Sequence, residues 1–96
     1  PRAQQYLERA VDLRPDYPEA LNNLGVLFIR QQRYPEAEEK FQTCVRVAPN
    51  FDQAYLNLAR LYVILQEKDK AKETLQALLR LQPQHKVARQ TLEMLQ

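Results

Sequence analysis

The sequence predicts an all-α solenoid of antiparallel helix pairs, and three observations carry that prediction. Proline returns at a fixed interval, as Pro15, Pro49 and Pro83, each 34 residues after the last. The composition favours helices, with a single glycine among 96 residues and few β-branched side chains. Leu, Ala, Gln, Glu, Lys and Arg are abundant instead, and these lose little rotamer freedom in a helix. Apolar residues also repeat with the proline interval. Ala3, Ala37 and Ala71 align, as do Leu7, Phe41 and Leu75, then Leu13, Val47 and Leu81. Ala20 matches Ala54, Leu24 matches Leu58 and Phe28 matches Tyr62. Self-similarity at such a period means stacked units, each burying an apolar face against its neighbours.

Taken in order, residues 1–17 read as half a unit, one helix from about Ala3 to Arg14 with Leu7, Ala10, Val11 and Leu13 apolar. Residues 18–51 form a complete unit of two helices. The first runs from Pro18 to about Gln31, with Ala20, Leu21, Leu24, Leu27 and Phe28 on one stripe. Asp16 is the expected cap, with Glu19 three residues on completing a capping box. The second helix starts at Tyr34-Pro35, because a proline in the first turn removes an N–H that has no partner there anyway. It carries Ala37, Phe41, Cys44, Val45 and Ala48 on one side and stops before Pro49. Residues 52–85 repeat the plan: Asn50 is the expected cap, Ala54, Tyr55, Leu58, Leu61 and Tyr62 form the stripe, and a second helix spans about Lys68–Leu81. Residues 86–96 supply one closing helix.

The stretch Leu21-x2-Leu24-Gly25-x2-Phe28, followed by Ala37-x3-Phe41 and Pro49, resembles the tetratricopeptide repeat signature. A second copy reads Tyr55-x2-Leu58-Ala59-x2-Tyr62, then Ala71-x3-Leu75 and Pro83, and the leading fragment adds Ala3-x3-Leu7 and Pro15. The resemblance covers about two and a half repeats plus the terminal helix. It departs at Leu21, where the family usually has tryptophan, and at Ala59, where it has a second glycine. Pentatricopeptide repeats lack the Leu-Gly pair with its terminal proline, and heat-type repeats are longer, at about 40–47 residues. The resemblance implies a right-handed α-solenoid in which the first helix of each repeat lines a concave groove. Gly25 and Ala59 are small where two helices approach. Since a methyl group stands at 59, Gly25→Ala is expected to be neutral or stabilising and Gly25→Leu destabilising.

The search for chemistry yields no catalytic group, so the chain is read as a non-enzyme without cofactor. One cysteine and one histidine cannot assemble a metal site of ordinary spacing. Cys44 shares its helix position with Ala10 and Leu78, which makes it a small buried hydrophobe, and His85 falls at a helix start as a cap or exposed loop residue. No glycine-rich phosphate loop or Gly-x-Ser-x-Gly elbow is present. Glu36, Glu38 and Glu39 sit where a helix dipole favours acid. Fourteen basic against twelve acidic residues leave a net charge of +2, too little to argue for nucleic acid. No run of about eighteen apolar residues exists, so no membrane insertion is expected. The chain opens Pro1-Arg2-Ala3 without an initiator Met and is read as a segment of a longer protein.

Function then falls to surface left over after packing, and the expected partner is a protein or peptide. In the groove that the resemblance implies, matching positions form columns: Asn22 with Leu56 and Gln90, Asn23 with Asn57 and Thr91, Val26 with Arg60 and Met94, Ile29 with Val63, and Arg30 with Ile64. The ten residues of the two complete repeats in these columns, from Asn22 to Arg30 and from Leu56 to Ile64, are the candidate site. Val26, Ile29, Leu56, Val63 and Ile64 are apolar yet lie off the core stripe. They either pack against neighbouring repeats or floor a groove in which Asn23, Asn57 and Arg60 hold a partner's backbone or carboxylate. Some family members clamp the terminal carboxylate of chaperone tails with lysine and asparagine. Here the matching places hold Asn22, Val26, Val87 and Thr91, and only Asn57 fits, so no such clamp is expected. The alternative function is a structural spacer or oligomerisation segment of a larger protein. Because one end lacks a first helix and the other a second, weak head-to-tail self-association is also expected.

Overall fold

The computed structural model describes residues 2–96; Pro1, at the head of the expected half repeat, lies outside the described residues. Six helices follow one another: α1 (Arg2–Leu13), α2 (Pro18–Arg30), α3 (Tyr34–Val47), α4 (Asp52–Ile64), α5 (Lys68–Leu81) and α6 (Lys86–Leu95). No strand occurs among the described residues. Each helix packs on the next in sequence, and α2 also touches α4. The result is an elongated stack of 38 × 25 × 16 Å, an all-α solenoid whose core is a continuous seam.

That seam is built from the repeating stripes. Leu24 and Phe28 of α2, Ala37 and Phe41 of α3, Tyr55, Leu58, Ala59, Leu61 and Tyr62 of α4, and Ala71, Leu75 and Leu78 of α5 form one buried cluster. Leu21, Cys44 and Ala54 form a second beside it. The end helices are held more lightly. Leu7 and Val11 of α1 and Leu92 and Leu95 of α6 are only partly buried, and Ala88 is the one buried residue of α6.

The helix ends follow two turns that the sequence reading did not place. Between a second helix and the next first helix, the expected caps Asp16 and Asn50 stand one residue too early. The N-cap residues are Tyr17 and Phe51, neither making a side-chain cap bond. Their N–H groups close the turn instead, Tyr17 to Arg14 O and Phe51 to Ala48 O at 3.0 Å, while their carbonyls accept from Leu21 and Ala54. Pro18 reinforces this, since a residue before proline prefers the extended conformation that Tyr17 adopts (φ −83°, ψ 101°). Between first and second helix, the chain passes through a left-handed residue, Gln32 (φ 60°) or Gln66 (φ 61°). Arg33 N–H bonds Phe28 O at 2.8 Å and Gln32 N–H bonds Ile29 O at 2.9 Å, and Glu67 and Gln66 repeat the pair on Tyr62 and Val63. This is the Schellman arrangement, formed twice with glutamine where glycine is usual.

The expectation for Gly25 is overturned. A Cβ built there meets the Phe41 ring at 2.5 Å from Cε1 and 2.6 Å from Cζ. Phe41 is fully buried, so its ring has nowhere to go. Ala59 tolerates its methyl group because the residue matching Phe41 is the smaller Leu75.

Candidate partner-binding groove

The first helices α2, α4 and α6 bring the ten candidate residues to three different environments. Asn22 is buried at 5% exposure, and its Oδ1 accepts from Asn57 Nδ2 at 3.0 Å. The pair satisfies two carboxamides across the α2–α4 contact, as buried polar groups require. Asn22 is therefore turned inward, whereas Asn23 is exposed beside it. The two line a polar depression of about 460 Å³ with Glu19, Asp52 and Gln53 at the N-terminal ends of α2 and α4.

Val26, Ile29 and Leu56 are partly buried against the main core, so part of their apolar surface is already used in packing between repeats. Arg30 and Ile64, at the last residues of α2 and α4, are exposed. Leu56, Asn57, Arg60 and Val63 come together with Val87, Thr91, Met94 and Leu95 of α6 in a second, apolar cleft of about 380 Å³. Its rim is unusually apolar for free surface: Val63 is 46% exposed, Val87 53% and Met94 83%. Arg60 is exposed at this cleft and forms no ion pair among the described residues. The columns reached Thr91 and Met94, but Val87, weighed only as a clamp position, and Leu95 were left out of the candidate site. Their signal was the position of the closing helix as a third first helix, which puts Val87 in register with Glu19 and Gln53.

The opposite side of the stack is polar and tied down. Tyr62 donates its hydroxyl to Glu38 Oε2 at 2.7 Å and accepts from Gln42 Nε2 at 3.2 Å, locking α4 to α3. Burial, with the Glu38 bond adding to it, pushes the Tyr62 phenol up to about 12. Cys44 is fully buried, donates to Pro18 O at 3.3 Å and has its thiol pushed up to about 11 by burial, so it rests as an unreactive thiol. His85 is a cap: Nδ1 accepts from the Ala88 backbone N–H at 3.1 Å. No group of three or more metal-ligating side chains exists among the described residues, and no helix is long and apolar enough to cross a membrane.

A solenoid of helix pairs with an apolar cleft between successive first helices defines a helical repeat protein. Two family models, each described as tetratricopeptide repeat, match residues 28–95 and residues 1–50, and the chain belongs to the tetratricopeptide repeat family. Comparison with curated proteins finds no match. Among solved structures it is similar to YrrB, described as a TPR protein with an unusual peptide-binding site. The two are 27% identical, with a TM-score of 0.83 over 93% of this chain and 46% of that one. The second TPR domain of human RPAP3, solved in complex with an HSP70 peptide, is 18% identical with a TM-score of 0.83, covering 96% of this chain and 77% of that one. The first TPR of Spaghetti (RPAP3), bound to an HSP90 peptide, is 21% identical with a TM-score of 0.82, covering 96% and 75%. At those identities the two RPAP3 likenesses show the fold.

Proposed function

We propose that this chain is a non-catalytic protein-protein interaction scaffold that takes a peptide or helix in a concave groove along α2, α4 and α6. The repeats are divided as 1–17, 18–51, 52–85 and 86–96. The observation that carries the reading is the apolar cleft between α4 and α6, where Val63, Val87 and Met94 stay exposed beside an unpaired Arg60. Exposed apolar side chains gathered round a polar anchor are what a partner's side chain would cover. The peptide-bound RPAP3 domains and the peptide-binding site of YrrB support this use of the fold. Asn57 is committed to Asn22, so Arg60 is the side chain free to meet a partner's carboxylate.

The test is affinity for a partner captured by the intact chain. Arg60→Glu should weaken binding roughly tenfold to a hundredfold, the loss of a charged hydrogen bond. Val63→Glu should do at least as much, with the helical circular dichroism unchanged. A spacer would be indifferent to both, and unaltered affinity in both variants would remove this cleft from the site.

Head-to-tail association belongs to the same proposal, and the repeat register sets its limit. Stacking α6 on the α1 of a second copy puts Glu93 at the position of Gly25 and Ala59, opposite the Leu7 that matches Phe41 and Leu75. A carboxylate there opposes close packing. Sedimentation across concentrations should find Glu93→Ala more associated than the natural chain; an equally monomeric variant would exclude in-register stacking.

A further inference from the structure

His85 occupies a place in the repeat that Tyr17 and Phe51 hold in the two units before it. All three are N-cap residues of a first helix, yet only His85 caps with its side chain. Its Nδ1 accepts from the N–H of Ala88 at 3.1 Å, and its Nε2 lies 2.8 Å from Oδ2 of Asp52 in the first turn of α4. These neighbours fix the tautomer. A backbone amide only donates and a carboxylate only accepts, so Nδ1 must be bare and Nε2 must carry the hydrogen. One ring thereby joins the N-termini of α4 and α6. The amide it holds belongs to Ala88, the single buried residue of a ten-residue helix.

We propose that this contact is a pH-sensitive latch on α6. Protonating His85 puts a hydrogen on Nδ1, so the cap acceptor becomes a donor facing the Ala88 N–H and the first turn of α6 is released. The new positive charge also stands at the positive end of the helix dipole. The opposing effect is a stronger contact with Asp52. That carboxylate is 43% exposed, and Nε2–H donates to it before and after protonation, so the gain is that of a surface pair. Asp52 is the one acidic group that bonds the ring among the described residues, since Asp69 and Glu73 of α5 and Glu93 of α6 make no bond to it. Of the basic groups at the adjoining helix ends, Arg80 lies in the last turn of α5, Lys86 and Arg89 begin α6, and Arg89 donates to Pro83 O at 2.6 Å. Since α6 contributes Val87, Met94 and Leu95 to the apolar cleft, releasing it takes away one wall; the latch itself does not depend on the cleft's proposed use.

Nuclear magnetic resonance on the whole chain tests this, following the His85 ring and the amide protection factors of Lys86–Leu95 between about pH 5 and 8. Protection in α6 should fall about twofold to thirtyfold as the ring gains its proton, the range a lost N-cap gives, while α4 and α5 hold theirs. His85→Asn, a cap that does not titrate here, should keep α6 closed throughout. His85→Phe, which copies Phe51, should leave it loosened at every pH. Equal or greater α6 protection at the acid end, or the same acid loss in His85→Asn, would overturn the latch.

Discussion

Where α2 crosses α3, Gly25 lies against the ring of Phe41; at the matching positions of α4 and α5 stand Ala59 and Leu75, both buried. One pair of helices uses no side chain against a large one, and the other uses a small one against a medium one. The linkers differ in the same reciprocal way. Arg33 pairs with Glu36 at 2.8 Å after α2, whereas after α4 Glu67 pairs with Lys70 at 3.2 Å, the same geometry with the signs exchanged. The lesson is that a repeat conserves sums: total volume at the crossing and net charge at the turn are kept while single residues are traded. A residue copied from one repeat to the next is safe only together with its partner.

The largest effect should come from breaking the first trade. Gly25→Ala gains about 1 kcal/mol of helix propensity but overpacks Phe41 at a cost of about 1–3 kcal/mol, so chemical denaturation should find a net loss of up to about 2 kcal/mol. Adding Phe41→Leu should recover most of it, because residues in contact couple by about 0.5–3 kcal/mol. If the two losses simply add, the crossing is not the reason for Gly25. Next comes Cys44, whose counterpart in α5 is Leu78. Burial raises its thiol from 9.0 to about 11, so the fold favours the protonated form. The stability this gives is complete below pH 9 and is lost as pH climbs through 9 towards 11. Cys44→Ala should flatten the melting temperature between about pH 9 and 10, above which the Tyr62 phenol, raised from 10.0 to about 12, and the Tyr55 phenol, also raised by burial, bring their own fall.

A smaller effect is expected at the two left-handed glutamines. An L side chain there costs about 1–2 kcal/mol, and glycine returns part of the gain through a freer unfolded chain. Gln32→Gly and Gln66→Gly should each stabilise by about 0.5 kcal/mol. Equal gains are expected, since the two turns share their hydrogen bonds; unequal ones would show that Arg33 and Glu67 alter the turn. The smallest effect belongs to the exchanged charges. Arg33→Glu faces Glu36 with a like charge and should cost about 0.2–0.5 kcal/mol at low salt. The further change Glu36→Lys rebuilds the α4–α5 arrangement and should restore the loss, and both differences should fade in high salt.

The helices were legible because two independent signals agreed, the proline interval that ends them and the apolar stripes that bury them. What escaped depends on contacts between distant residues. Gly25 was misjudged by comparing it with Ala59 alone, when the deciding atoms belong to Phe41, sixteen positions away. The caps were assigned to Asp16 and Asn50 on residue type, but the turn claims the N–H of Tyr17 and Phe51 and moves the helix start past them. Nothing marks Gln32 or Gln66 as left-handed, since the usual glycine is missing there. For the groove, the columns gathered Leu56, Arg60 and Val63 into one cleft, but they also included Asn22, whose side chain is consumed by Asn57. A column gives a position along the stack and not a direction in or out of it.

The lone cysteine has a practical consequence. Cys44 sits on α3, near the middle of the chain, sealed between Leu21 and Ala54. A thiol reagent cannot reach it until the helices packed around it separate, so its labelling half-life is a clock for the opening of the central repeat, with no probe to engineer. Val11 of α1 packs against that second cluster while no residue of α6 does, so fraying of α6 should leave the clock unchanged, whereas loss of α1 or cooperative unfolding sets it running. Comparing the labelling rate with loss of helicity would separate a stack that melts from its α6 end from one that melts as a block, the distinction on which the one-dimensional description of repeat proteins rests.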